Sequence, residues 1–380
     1  MTYTVPFNKP YFTGKETEYI KYAVEQGKIS GNGFYTKKCQ SFFEDTYGFK
    51  KALLTSSCTD ALEMAAILAD IQPGDEVIIP SYTFVSTANA FVLRGANIIF
   101  ADSMDTNPNI NVNMLESLIT PKTKAIVPVH YAGFACDMDG IMELANKYGL
   151  LVIEDAAQAI DNYYVNKKGE KKALGSIGHL AAFSFHETKN IISGEGGMLA
   201  INDDRFVKRA EIIWEKGTNR TAFFRGEVDK YGWVDIGSSF LPSDVTAAIL
   251  WAQLENIKQI QDRRLTLWNL YYSKLKAVVD QKGLQLPFIP DYSTNNAHMF
   301  YLISKGIEQQ TEIIEALKEN SILSVFHYSS LHKSSYYKDK HDGRSLPYSD
   351  KYTESIVRLP LFYSLTEENI DTITNIISQL

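Results

Sequence analysis

Seven short apolar runs punctuate the first half of the chain, at residues 52–54, 76–80, 97–101, 124–130, 151–154, 180–185 and 198–201. Ile, Val, Leu and Phe fill them continuously instead of at alternate positions, as in strands covered on both faces. Between them, residues 60–70, 83–94, 113–119 and 139–148 are long enough to be crossover helices. This alternation predicts an α/β fold on a mostly parallel, doubly wound sheet. From residue 241 the texture changes: 243–272 and 309–319 read as amphipathic helices and 298–303 as a strand. The pattern therefore divides into a large domain over 1–240 and a smaller C-terminal α+β domain over 241–380. Asn295, Asn296 and the stretch 333–349, polar and rich in Lys, Ser and Tyr, read as surface loops.

Composition narrows the partners more than the fold. At 380 residues, 45% hydrophobic and 22% charged, the chain has the make-up of an ordinary globular protein. A net charge of −7 with no basic stripe argues against a nucleic-acid partner and leaves a small molecule as the expectation. The three cysteines, Cys39, Cys58 and Cys136, are too few for a disulfide framework and too far apart for a structural zinc site. They fit a reducing cytosol. The N-terminal residues have no apolar core after a basic start, and no run reaches the ~18 apolar residues of a membrane span. The reading is a cytoplasmic protein with neither signal peptide nor transmembrane segment.

Three segments carry candidate chemistry. Ser56-Ser57-Cys58-Thr59-Asp60 leads a strand into a helix, where free backbone N–H groups and the helix dipole suit a phosphate; a plain Ser/Thr cap explains it as well. Leu151-Val152-Ile153-Glu154-Asp155 ends an apolar strand in two carboxylates, at the sheet edge where ligands of open α/β folds sit. Asp155 suits a cationic ring nitrogen or a helix cap equally. The run 180–185 delivers Ser184, His186 and Lys189 to a strand end, before Gly194, Gly196 and Gly197 turn the chain back. A lysine shielded from water loses proton affinity and can attack a carbonyl, although a solvated loop lysine is the plainer reading. Taken together, a phosphate cradle, an acid and a lysine are the contacts that pyridoxal phosphate requires.

The order of these motifs resembles the fold-type-I transferases that use that cofactor. The whole chain, from Pro6-Phe7-Asn8 to Arg358-Leu359-Pro360-Leu361, is similar to the DegT/DnrJ/EryC1/StrS family of nucleotide-sugar aminotransferases. Residues 70–77, 84–95, 127–133 and 215–220 resemble the branch that aminates C4 of a dTDP-linked 4-keto-6-deoxyhexose. The resemblance implies that the 1–240 domain binds pyridoxal 5'-phosphate, with Lys189 holding its aldehyde as a Schiff base and later moving protons. It places Asp155 on the pyridine nitrogen and Gln158 on the ring's oxygen side, and stacks Phe84, otherwise a candidate core residue, on the ring. Ser184 and the Cys58-Thr59 backbone would hold the phosphate, with Ser57 beside them. The family builds its site across a homodimer, takes glutamate as amino donor, and would use His186 and His327 near the sugar; a structural hydrogen bond is the other role open to His327.

Two positions depart from the family pattern. Gly237-Ser238-Ser239-Phe240-Leu241 stands where most members carry an asparagine that reaches the neighbouring subunit's cofactor phosphate, so Ser239 is the candidate for that contact. Cys58 replaces a glycine, which a backbone N–H donor tolerates at negative φ. His186, His298, His327 and His332 lack the spacing of a helical metal-ligand pair, and no metal is expected. Other readings stay open: a different nucleotide ketosugar, 3-keto or UDP-linked, or a non-catalytic regulatory protein that binds the cofactor. Relatives that dehydrate the sugar carry histidine in place of Lys189.

Overall fold

The computed structural model describes residues 3–380. Nine strands come from the first 201 residues: β1 (Lys51–Thr55), β2 (Glu76–Pro80), β3 (Asn97–Ala101), β4 (Thr123–Ile126), β5 (Leu151–Asp155), β6 (Tyr163–Val165), β7 (Lys171–Ala173), β8 (Leu180–Ser184) and β9 (Gly197–Ile201). Seven of them form one sheet in the order β1-β9-β8-β5-β4-β2-β3, and β6 and β7 pair as a separate hairpin. All strands of the large sheet run parallel except β9, which is antiparallel to both neighbours. The mostly parallel doubly wound sheet expected from the pattern is thus present.

The continuous apolar runs are explained by burial on both faces. On one face Ala52, Leu54, Val152, Ala181, Phe183, Met198 and Ala200 meet the helices Phe34–Tyr47, Val112–Leu118 and Met138–Tyr148. Their neighbours Leu53, Ile153, Leu180, Ala182, Leu199 and Ile201 feed the opposite layer, under Cys58–Leu68, Val85–Val92 and Asp204–Trp214. Each Leu, Ile, Val, Met or Phe among them contributes about 1.5–3 kcal/mol on burial, and each Ala less.

The last two strands, β10 (Phe300–Ile303) and β11 (Ile356–Leu359), form an antiparallel pair in which Tyr301 faces Arg358. Leu267, Tyr271, Ile313, Leu317, Ile370 and Ile373, from the helices Ile257–Lys282, Ile307–Glu319 and Glu367–Gln379, build a third core around this pair. No helix among the described residues is long and apolar enough to cross a membrane.

Four sequence expectations change. The strand expected over 124–130 stops at Ile126, because Pro128 has no N–H for the ladder; pairing resumes only as a bridge between Val129 and Asp155. The helix expected over 243–272 is two, Asp244–Leu254 and Ile257–Lys282. At the break the Asn256 amide takes the Ala252 carbonyl at 2.9 Å. Asn296 is buried, its amide donating to the carbonyls of Gln158 and Ile160 at 2.9 Å each. The 333–349 stretch is no free loop either. Tyr337 and Leu346 are buried, the Tyr337 hydroxyl accepts from Ile98 N at 2.6 Å, and Arg344 donates to the Phe100 carbonyl at 3.0 Å. The segment thereby covers the exposed edge of β3, whose unpaired backbone groups would otherwise invite another strand.

Candidate active site

Because β1, β5 and β8 run parallel, their C-termini gather at one sheet edge, where β9 also begins. β1 passes through Ser56 and Ser57 into the helix Cys58–Leu68. Ser57 is its cap, with Oγ accepting from Asp60 N at 3.0 Å. Cys58 takes helical φ, and the N–H groups of Cys58 and Thr59 have no acceptor among the described residues, so they face outward with the positive end of the helix dipole. Gly197 lies directly beneath: a Cβ there would stand 2.3 Å from the Ser57 carbonyl carbon and 2.4 Å from Cys58 N. Ser184, at the end of β8, completes this edge, its Oγ accepting from His186 N at 3.4 Å. The Thr59 hydroxyl donates to Ser86 Oγ at 2.8 Å.

The two carboxylates that end β5 point to opposite faces, as successive strand residues must. Glu154 is fully buried and accepts from the backbone N–H groups of Gly175, Ile177 and Gly178 and from His130 Nε2. Its acceptor capacity is used within the fold. Asp155 faces the site: Oδ2 accepts from Thr87 Oγ1 at 2.7 Å and Oδ1 from Ala157 N at 3.1 Å. Burial raises its pKa, opposed by the Thr87 and Ala157 hydrogen bonds and by the charge of Lys189.

Lys189 is half-buried in the turn after β8, its N–H bonded to the His186 carbonyl at 2.9 Å. Burial pushes its amine below the ordinary lysine value; Cys58 and Asp155 act in the other direction, and Arg358 pushes it lower. The Cys58 thiol is pushed well up by burial and then by Asp155, so it stays protonated beside the amine. An amine with depressed proton affinity, a carboxylate and a set of unpaired N–H groups thus occupy one strand edge. That set fits an aldehyde-bearing cationic ring with an attached phosphate.

The remaining candidates separate by position. Gln158 is buried between two contacts, accepting from Ala132 N at 2.6 Å and donating to the Tyr328 hydroxyl at 3.0 Å. Phe84 is no core residue: it is 55% exposed at the start of Val85–Val92, with its ring 6.0 Å from that of Tyr328. His327 is half-buried, hydrogen-bonded through Nδ1 to the Tyr131 hydroxyl at 2.7 Å. Burial and the charges of Arg358 and Lys189 hold it well below its usual pKa, hence neutral. His186 turns to Thr188 Oγ1 at 2.9 Å and towards Glu195 at 3.7 Å. Ser239 is exposed, bridging to Glu215. Among the described residues no group of three or more His, Cys, Asp or Glu is placed to hold a metal.

Thr87, Tyr328 and Arg358 escaped the sequence reading as site residues. Thr87 had a faint signal, since Thr83 and Thr87 stand one helical turn apart and their hydroxyls lie 3.0 Å from each other. Arg358 had only its place in an apolar run.

The profile of the DegT/DnrJ/EryC1/StrS aminotransferase family matches residues 10–378. The chain belongs to that family. SpsC of Bacillus subtilis (strain 168), a spore coat polysaccharide biosynthesis protein, is 32% identical over 378 residues, covering 97% of this chain and 95% of its own. The aminotransferase TlmJ from Streptoalloteichus hindustanus superimposes with a TM-score of 0.89 at 26% identity, over 100% of this chain and 98% of that one. DesV from S. venezuelae gives 0.88 at 26% identity, with the same coverage. The protein is a pyridoxal-phosphate-dependent sugar aminotransferase with the fold of that transferase class.

Proposed function

We propose that this DegT-family enzyme moves an amino group from L-glutamate to C4 of dTDP-4-dehydro-6-deoxy-D-glucose, giving dTDP-4-amino-4,6-dideoxy-D-galactose. The observation that carries the chemistry is the gathering of Lys189, Asp155 and the Cys58–Leu68 helix start at one strand edge. The sugar rests on the likeness of residues 70–77, 84–95, 127–133 and 215–220 to dTDP-4-amino-4,6-dideoxygalactose transaminase, together with the Ser238-Ser239 pair.

The bound cofactor supplies an electron sink that stabilises the carbanion left when a C–H proton departs. In this reading Lys189 would hold the cofactor's aldehyde and, once displaced by the donor's amine, would be free to take the proton from the donor's α-carbon and later to return one at sugar C4. Its depressed proton affinity raises the neutral fraction that both tasks need. Asp155 keeps the ring nitrogen protonated, and Thr87 keeps Asp155 aimed. The Cys58 and Thr59 N–H groups and Ser184 hold the phosphate, with Ser57 fixing the helix start; Phe84 covers the ring and Gln158 borders it. His186 and His327 lie on the sugar's side.

The enzyme acts as a homodimer in which Ser239 reaches the partner's phosphate. Supporting this, Phe224, Trp233 and Val234, on the same excursion as Ser239, leave 69%, 86% and 55% of their surface uncovered in one chain. The division at residue 240, a cytoplasmic location and a product destined for a surface polysaccharide, such as an O-antigen or enterobacterial common antigen, complete the proposal. The name of the Bacillus relative supports that last point. Incubating the purified enzyme with this sugar, glutamate and cofactor tests it: mass spectrometry is expected to show the amine, and amination of a UDP-linked or 3-keto sugar alone would overturn the substrate.

A further inference from the structure

The residue that follows Lys189 spends its whole side chain on the second half of the molecule. Asn190 is buried, and its Nδ2 donates to the Asn296 carbonyl at 2.7 Å and to Gln261 Oε1, on the helix Ile257–Lys282, at 2.8 Å. A main-chain carbonyl only accepts, so the amide nitrogen must face Asn296 and the amide oxygen must face His298. His298 Nδ1 lies 2.8 Å from that oxygen and therefore carries the proton. The partners are themselves anchored. Asn296 donates to the carbonyls of Gln158 and Ile160 and accepts from His298 N at 3.1 Å, while Arg264 donates to the carbonyls of Ala297 and His298 at 3.1 and 2.6 Å. Between the two, Ala297 is kept at φ +50°, left-handed backbone that a residue with a Cβ rarely adopts. Strain of this kind persists only where the surroundings over-determine it, and it gathers at working sites.

We infer that Asn190 is a positioning residue for Lys189, and that His298 acts through it. Asn190, Asn296 and His298 form a bracket that fixes the lysine's turn relative to Gln158, since Asn296 holds the carbonyl of the one and the side chain that follows the other. A lysine that meets an aldehyde and then two different carbons needs a mobile side chain, so its reach depends on where the backbone of its turn is held. Asparagine suits the spot because it donates twice and accepts once; aspartate has its shape but no N–H. Burial, with the charges of Lys189, Arg264 and Arg358, keeps His298 neutral, so it serves as a donor without bringing another cation to the amine.

The inference rests on the reading of Lys189 as the residue that holds the cofactor, and one measurement separates the two. Saturating pyridoxal phosphate is added to the cofactor-free protein, samples are quenched with borohydride at intervals, and the label on Lys189 is followed by peptide mass spectrometry. Asn190→Asp is expected to slow labelling about 10–100-fold and to lower kcat by a similar factor, with KM for both substrates within about threefold. His298 supplies an independent arm, since asparagine there offers an N–H at the place of Nδ1 and glutamine one at the place of Nε2. His298→Asn is expected to keep labelling and kcat within about threefold of wild type, and His298→Gln to lose as much as Asn190→Asp. Wild-type labelling and kcat in Asn190→Asp overturn the inference, whatever the melting temperature of that variant. Equal rates in the two His298 variants overturn it too, and should Asn190→Asp fail to fold, that pair decides alone. A wild-type label on a lysine other than Lys189 overturns the reading of Lys189 itself.

Discussion

Thr87 donates a 2.7 Å hydrogen bond to Asp155 across 68 residues of sequence. Since an ionised carboxylate only accepts, the proton between the paired hydroxyls comes from Thr83, and the relay runs Thr83 to Thr87 to Asp155. The bond favours the charged carboxylate against a burial that raises its pKa. Thr87→Val removes it at nearly constant shape. The pKa of Asp155 should rise further, and cofactor affinity should fall by about 1.5–3 kcal/mol, or roughly 10–100-fold, while Thr87→Ser retains most of it. Equilibrium titration of cofactor into the apo-protein reads this directly, and equal affinities for wild type and Thr87→Val would sink it.

The two acids that end β5 should respond oppositely. Glu154→Gln places an amide against three backbone donors and His130, and is expected to cost about 3–5 kcal/mol of stability in denaturant titration. Asp155→Asn relieves a charge that burial disfavours. It should cost at most about 1 kcal/mol yet remove most of the activity. A reversal of these two effects would exchange the structural and site roles assigned here.

Lys189 makes the cofactor-free protein pH-sensitive. Its folded pKa lies below the unfolded value, so between the two the unfolded chain binds more protons and stability rises with pH. At neutral pH the charged amine is a burden, and the cofactor-free Lys189→Met variant should melt above the wild type. That advantage should shrink as pH rises through the depressed pKa towards 10.5. Melting curves at several pH values check it; a lower melting temperature for Lys189→Met at pH 7 would contradict the direction of the shift.

Gly197 holds the helix start where it is. Gly197→Ala drives a Cβ into the Ser57 carbonyl and Cys58 N, backbone atoms that cannot swing aside. An overpacking cost of about 1–3 kcal/mol is expected, together with a larger loss of phosphate affinity than of overall stability. Inorganic phosphate binding measured with and without the substitution separates the two.

Much of the architecture was legible because its causes are local. Continuous apolar runs such as Leu180–Ser184 mark strands buried on both faces, and Ser57 before Cys58 marks a helix start. What was illegible depends on distant partners. Nothing near Tyr337 announces that its hydroxyl serves Ile98, and nothing near Asn296 announces the carbonyls of Gln158 and Ile160. Polar side chains read as solvated until the fold supplies their acceptors. The roles of Glu154 and Asp155 were half legible: strand alternation sends them apart, but only the packing of Gly175–Gly178 tells which face is structural.

The attachment of the cofactor to Lys189 can be measured most directly by reduction. Borohydride treatment of the holoenzyme followed by peptide mass spectrometry is predicted to find a phosphopyridoxyl group on Lys189, and prior incubation with L-glutamate should abolish that label. A label on another lysine, or one that survives glutamate, would contradict the account.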